Sequence, residues 1–324
     1  MIVRTYRLAL LGFGNVGQGF AQILKEQGAL LAQRFGAQFS IVAVSDLQKG
    51  SVYDPDGLDP AALLAAIQTQ GNFDDARAPQ RGWDALATIA KSNADIVIEL
   101  TYTDLRTGEP ALTHLRAALQ NGKHVVTTNK GPIALAFPEL DQLARGKNLE
   151  IGVEGTVMSG TPVIRIGREM LVAAGIKRIQ GIFNGTTNFI LTQMETGASY
   201  AAALADAQAK GYAEADPGGD VEGYDAAGKV VILSNLLMDA PLTMTEVDRV
   251  GITQLNAQQI AQAQAAGECW KLLGTIERVN GQVRASVRPT RVPLHHPLAA
   301  VKGATNAIVY TTELLGDVTV VGPG

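Results

Sequence analysis

Short apolar runs alternate with helix-length amphipathic segments through the first third of the chain. Arg7–Leu11, Phe39–Val44, Asp95–Leu100 and His124–Thr127 are continuous apolar runs rather than alternating ones, as expected of strands covered on both faces. The punctuation between them is helical. Asp59-Pro60 places an N-cap aspartate before a proline at the first helical position. Asn121-Gly122 ends a helix begun near Pro110, and Arg145-Gly146 ends another. Such alternation predicts a parallel sheet of the α/β class. The stretch 47–83 is longer than an ordinary connection and is expected to decorate that sheet.

Beyond about residue 150 the pattern changes. Thr161-Pro162 opens a predicted helix, Ala174-Gly175 closes it, and Lys177–Asn184 reads as a strand. Helices are expected at about 187–196, 200–210 and 224–238. Asn280-Gly281 separates Thr275–Val279 from Gln282–Arg288, where Val283, Ala285 and Val287 alternate with Gln282, Arg284, Ser286 and Arg288. Asn-Gly between such runs predicts a β-hairpin with one buried and one polar face. This region therefore reads as α+β on a mixed or antiparallel sheet.

With 324 residues the chain is long enough for two domains. Its 18% charged and 46% hydrophobic residues exclude wholesale disorder. A net charge of −4 argues against the broad basic surface of a nucleic-acid binder. No apolar run reaches membrane-spanning length, and Leu8–Leu11 is too short for a signal sequence. The single cysteine, Cys269, makes neither an intrachain disulfide nor a cysteine zinc site. Beside Trp270 it reads as buried packing. A soluble, cytoplasmic protein is expected, with no nucleic-acid or membrane partner.

The sharpest chemical signal is Gly12-Phe13-Gly14-Asn15-Val16-Gly17, a G-x-G-x-x-G that follows an apolar strand and opens a helix. Asp46 ends the next strand within the same βαβ unit. That context is what dinucleotide binding requires: Gly12 for a tight turn, Gly14 for backbone approach to the pyrophosphate, Gly17 for close helix packing, and a helix N-terminus facing negative charge. Asp46 suits an adenosine ribose and so NAD, whereas Lys49 is near enough to meet a 2′-phosphate. The choice between NAD and NADP stays open at this point.

A second cluster is acidic. Residues 214–225 hold five carboxylates (Glu214, Asp216, Asp220, Glu222 and Asp225), with no basic residue between Lys210 and Lys229. A solvated turn, a divalent-metal loop and recognition of a substrate ammonium all fit such density, although the spacing misses the EF-hand pattern. Asp225 and Lys229 stand i and i+4 at a helix start and share a face. Thr127-Thr128-Asn129-Lys130-Gly131-Pro132 ends a strand of the parallel sheet, where Lys130 would project toward the cofactor cleft. The adjacent His295 and His296 point differently and lack a third ligand, which favours structural roles.

Together these residues resemble the homoserine dehydrogenases. The matching blocks run in order through nearly the whole chain: the 12–17 fingerprint, Glu99-Leu100-Thr101, 127–134, Asn184–Leu191, 211–217 with 220–229, His296–Ala299 and Gly303–Asn306. The 211–229 block is the most specific. The resemblance implies a Rossmann-like nucleotide domain over 1–135, an α+β substrate and dimerisation domain over 136–300, and a return segment at 301–324. It implies NAD- or NADP-linked interconversion of L-homoserine and L-aspartate 4-semialdehyde, in threonine, methionine and isoleucine biosynthesis. It carries over Lys229 as the general acid/base, Lys130 as the stabiliser of the developing alkoxide, and Asp225 as a catalytic residue holding the substrate near its reacting hydroxyl. Glu214, Asp220 and Asp225 become substrate ligands. Gly12, Phe13, Gly14, Asn15, Val16, Gly17, Asp46, Thr101, Lys130 and Gly211 become cofactor contacts.

The same resemblance implies a monovalent-cation site, for an ion such as sodium, from main-chain carbonyls at Glu154, Val157, Ser159 and Thr161. Met158 and Thr161 are unusual members of that loop. It also implies a homodimer through the hairpin sheet. The length matches a short form without a regulatory domain, and family members run on past Gly324 into a final helix. The rival readings are a dehydrogenase for another amino-acid aldehyde, against which the Glu214–Lys229 block argues, and a nucleotide-binding regulator, against which Lys130 and Lys229 argue.

Overall fold

The apolar run at the N-terminus becomes the centre of a sheet, with Leu8 to Leu11 at most 1% exposed. The computed structural model describes residues 3–74 and 77–324, and the chain divides into units of Met1–Val153 and Glu154–Gly324. The first unit runs β1 (Arg4–Leu11), α1 (Asn15–Phe35), β2 (Ala37–Asp46), β3 (Gly50–Tyr53), α2 (Pro60–Gln70) and β4 (Gln80–Arg81). It continues through α3 (Ala85–Lys91), β5 (Ile96–Glu99), α4 (Ala111–Gln120), β6 (His124–Thr127), α5 (Lys130–Arg145) and β7 (Ile151–Gly152).

The strand order is β4-β3-β2-β1-β5-β6-β7. The five strands from β2 to β7 are parallel, whereas β3 and β4 pair antiparallel at one edge. The expected decoration at 47–83 thus lengthens the sheet. The chain leaves β1 toward β2 on one side and later returns to β5 on the other. That reversal opens a crevice beyond the carboxyl ends of β1 and β5.

Local signals set the helix ends. The Asp59 side chain accepts the Ala61 N–H at 3.0 Å ahead of α2, and Gly36 closes α1 in the left-handed region, its N–H on Ala32 O at 2.9 Å.

The second unit comprises α6 (Val163–Arg165), β8 (Ile176–Ile182), α7 (Gly185–Glu195), α8 (Tyr200–Ala209), α9 (Gly218–Val221) and α10 (Tyr224–Leu237). Then follow β9 (Asp248–Arg249), α11 (Ala257–Ala265), β10 (Glu268–Val279), β11 (Gln282–Pro293), β12 (Asn306–Thr312) and β13 (Gly316–Gly322). Its sheet has the order β13-β12-β8-β10-β11-β9 and is antiparallel except where β9 pairs with β11. Asn280 and Gly281, at φ 51° and 79°, form the two-residue hairpin turn. Ala285 and Val287 are buried and Val283 is half-buried, while Arg284 and Arg288 stay exposed. α10 is buried along most of its length, from Ala226 to Leu236.

The compact units divide after Val153, where β7 pairs with β6 through Val125 and Ile151 and keeps α5 within the first unit. Within 301–324, β12 runs against β8 and β13 pairs with β12, so both strands belong to the second sheet. One expectation is corrected. The single helix expected over 162–174 is instead α6, a π-turn at Ile166–Met170 and a 3-10 turn at Val172–Ala174. Gly167 lies in that π-turn, where a Cβ would stand 2.7 Å from Leu237 Cδ1. The helix path is set by packing there, not by periodicity.

Candidate active site

The crevice of the first unit is a cleft of about 890 Å³ lined by Gly12, Gly14, Asp46, Lys49, Trp83, Thr101 and neighbouring residues. Gly12 has φ 95°, and a Cβ there would lie 2.6 Å from Leu100 O, so only glycine makes this turn. A Cβ on Gly17 would meet Gly12 O at 2.8 Å, which closes the first turn of α1 onto the loop. Gly14, by contrast, has no atom within 4 Å of its Cβ direction. Open space lies there, at a helix start whose first N–H groups have no intrahelical partner. This cradle fits a pyrophosphate.

Phe13 serves the site through its backbone. Its ring is fully buried against Phe73, and its N–H donates to Asp46 Oδ2 at 2.7 Å. Asn15 and Val16 are exposed on the first turn of α1. Asp46 Oδ1 also accepts the N–H groups of Gln48 and Lys49, each at 3.0 Å. Burial alone would raise this carboxyl, but the three N–H donors and the Lys49 ammonium bring it below its ordinary value. It therefore stands as a fixed anion in the cleft, with Lys49 Nζ 3.8 Å away.

Thr101 follows β5 and lines the same cleft. Asn129 ties its loop to the next, donating to Thr101 O at 3.3 Å and Tyr102 O at 2.7 Å. The Asn129 side chain also caps α5, and Lys130, half-buried, is the first residue of that helix. The sequence placed Lys130 at a strand end; it did not show that Asn129 binds that end to the Thr101 loop.

In the second unit the acidic cluster and Lys229 meet at the start of α10. Lys229 Nζ donates to Asp225 Oδ2 at 2.7 Å and to Phe183 O at 2.5 Å. Asn184, the N-cap of α7, donates to Asp220 Oδ1 at 2.7 Å and Asp225 Oδ2 at 3.0 Å. Burial pushes the Asp220 carboxyl above its ordinary value, with the Asp225 charge adding to it. Hydrogen bonds from Asn184 and Thr186 and the Lys229 charge oppose the rise. Lys229 carries three N–H donors, so one remains beyond Asp225 and Phe183.

Glu214 and Gly211 are exposed on the loop after α8, outside that knot of contacts. Thr186 Oγ1 holds this loop at Tyr212 O, at 2.6 Å. Phe183 and Asn184 escaped the sequence reading as site residues, although Asn184 opens the matching block Asn184–Leu191 and both lie where a strand gives way to a helix.

The loop proposed for a monovalent cation is well ordered by its own contacts. Met158 and Ser159 both have positive φ, 57° and 53°. The Glu154 carboxylate accepts Ile164 N–H at 2.9 Å and Arg165 N–H at 2.8 Å, so its side chain caps α6. Thr161 O already accepts Val163 N–H at 2.7 Å, with a second lone pair left over. The residues fit a ligand set of main-chain carbonyls only. Among the described residues there is no cluster of three or more His, Cys, Asp or Glu suited to a metal. His296 caps the turn at Pro297–Ala300, and Cys269 is buried.

Comparison with known proteins points to one family. Residues 12–154 match the homoserine dehydrogenase NAD binding domain, and residues 162–324 match the homoserine dehydrogenase family. An NAD(+)-dependent homoserine dehydrogenase of Pseudomonas canavaninivorans is 48% identical, over 98% of this chain and 91% of the relative. A homoserine dehydrogenase of Methanocaldococcus jannaschii is 36% identical over 98% and 93%. Among solved structures, a homoserine dehydrogenase from Thiobacillus denitrificans superposes with a TM-score of 0.85 at 33% identity, covering 99% of this chain and 69% of that one. A hyperthermophilic archaeal homoserine dehydrogenase mutant in complex with NADPH gives 0.84 at 29% identity, over 99% and 92%. The chain belongs to the homoserine dehydrogenase family, an NAD(P)-dependent oxidoreductase with a parallel-sheet nucleotide-binding unit and a second, mostly antiparallel unit.

Proposed function

We propose that the protein interconverts L-homoserine and L-aspartate 4-semialdehyde in the cytoplasm. The observation that carries this reading is the Lys229 ammonium, fixed between Asp225 and Phe183 O with one N–H to spare. Bound NAD(P) supplies the hydride donor or acceptor. In reduction, Lys229 gives a proton to the aldehyde oxygen as that carbon gains hydride; in oxidation it takes the hydroxyl proton back. Asp225 orients Lys229 and the substrate hydroxyl, and Lys130 stabilises the developing alkoxide. Asp220 and Glu214 recognise the substrate, Glu214 through its ammonium group. Gly12 to Gly17 cradle the pyrophosphate, with Thr101 and Gly211 as further cofactor contacts.

NAD is the preferred cofactor in this reading. The anionic Asp46 suits ribose hydroxyls and repels a 2′-phosphate, and the 48%-identical relative is named NAD(+)-dependent. A homodimer through the polar face of the second sheet, and a monovalent cation such as sodium on the carbonyls of Glu154, Val157, Ser159 and Thr161, complete the proposal.

The test follows absorbance at 340 nm with L-homoserine and either NAD or NADP. Homoserine-dependent reduction, faster with NAD and absent with serine or threonine, is expected. Lys229→Ala should lose roughly 10²–10⁴-fold in kcat while still binding NADH. Folded wild-type protein that reduces neither cofactor would sink the assignment.

A further inference from the structure

Glu99, the last residue of β5, is 0% exposed. An ionised carboxylate removed from water is strongly disfavoured unless donors saturate its oxygens. Here they come from two loops. Oε1 accepts the Thr101 N–H at 3.1 Å and the Thr101 hydroxyl, and the Thr127 hydroxyl stands between Glu99 O at 3.1 Å and Oε2 at 3.3 Å. Thr127 Oγ1 in turn accepts the Asn129 N–H at 2.9 Å, and Asn129 caps the helix that Lys130 begins. On the other side His114, from α4, brings Nδ1 to 3.5 Å from Glu99 Oε1. That nitrogen is buried without a hydrogen-bond partner among the described residues, while the residue lines the cofactor cleft.

We propose that Glu99 and His114 are positioning residues that hold Thr101 and Lys130 in their working places at the carboxyl ends of β5 and β6. An apolar residue at the end of a buried strand would serve the sheet as well. A carboxylate does something more here: it accepts both Thr101 donors and shares the Thr127 hydroxyl with its own main-chain carbonyl, so one residue fixes two loops. His114 stands beside the carboxylate at Oε1 and lines the cleft as well, so it links the buried charge to the cofactor side. Glu99 acts on the cofactor through Thr101 and on the reacting oxygen through Thr127, Asn129 and Lys130. The second arm rests on the role proposed for Lys130.

The experiment uses the full chain. Glu99→Gln keeps the shape but puts an NH₂ among donors. It should leave the melting temperature near wild type, lower kcat about 10- to 100-fold, and weaken NADH binding in a fluorescence titration. Thr127→Val cuts the Lys130 arm and leaves both Thr101–Glu99 bonds in place, so kcat should fall by a larger factor than NADH affinity. Glu99→Gln in a Lys130→Ala background should cost no further kcat. His114→Leu should reproduce the Glu99→Gln defect, and His114→Gln should recover most of it.

Wild-type kcat and NADH affinity in Glu99→Gln, or kcat losses that multiply with Lys130→Ala, overturn the proposal. Wild-type turnover in Lys130→Ala would instead remove the role given to Lys130. NADH affinity then decides for the pair: weakened binding in Glu99→Gln upholds the Thr101 arm, and unchanged binding overturns it.

Discussion

Asp46 meets two demands at once. It is legible in the sequence as the acidic end of the second strand. In the structure one carboxylate ties the glycine loop at Phe13 and its own turn at Gln48 and Lys49. Replacing it with Asn removes the negative charge that repels a 2′-phosphate and leaves Lys49 to attract one. We expect Asp46→Asn to move the ratio of kcat/KM for NADP over NAD upward by about tenfold, or roughly 1.4 kcal/mol. The ratio cancels any loss common to both cofactors from the weakened turn. Glu99 was not legible in this way. Its value lies in contacts with Thr127 and His114, 28 and 15 positions on, which no local spacing records.

At the scale of elements, local chemistry carried far. The β6 strand, the N-cap at Asp59 and the Asn-Gly hairpin are dictated by residues within a few positions, and each appears where its pattern puts it. The i, i+4 spacing likewise placed Asp225 and Lys229 on one face. Tertiary packing decided the rest. Gly274 on β10 and Gly181 on β8 are directly paired, and both make room for the Phe183 ring. A Cβ on Gly274 would stand 2.5 Å from that ring and 2.6 Å from Val230, and one on Gly181 would also be 2.5 Å from the ring. Because Phe183 O receives the Lys229 ammonium, the two glycines help to set the proposed acid/base. Gly274→Val should destabilise the protein by about 1–3 kcal/mol, seen as a lower melting temperature. It should also reduce kcat more than it changes the KM for NAD. A reduced melting temperature with unchanged kcat would show that the Phe183 carbonyl does not govern Lys229.

For the molecule as a whole, one buried charge gives stability a distinctive pH dependence. Lys271 on β10 is 0% exposed, and its ammonium donates to Asn188 Oδ1 at 2.9 Å and Val301 O at 2.6 Å. Asn188 extends the link through its amide to Gly303 O at 2.9 Å and Thr305 O at 3.2 Å, fastening the chain before β12 to α7. Burial, with help from the Lys302 charge, pulls the Lys271 ammonium down to about 8 from 10.5, against Glu195 and Cys269. Between those values the unfolded chain binds more protons at this residue than the folded one. The residue's contribution to stability therefore rises with pH across that window and is least favourable below pH 8. The full span corresponds to roughly 3 kcal/mol. Lys271→Met fills the same space without the charge. Its melting temperature relative to wild type should be highest at pH 7 and fall steadily toward pH 10. Parallel curves for the two proteins across that range would mean that the Lys271 proton is held equally in both states, and that the buried ammonium is as well solvated by Asn188 and Val301 as it is by water.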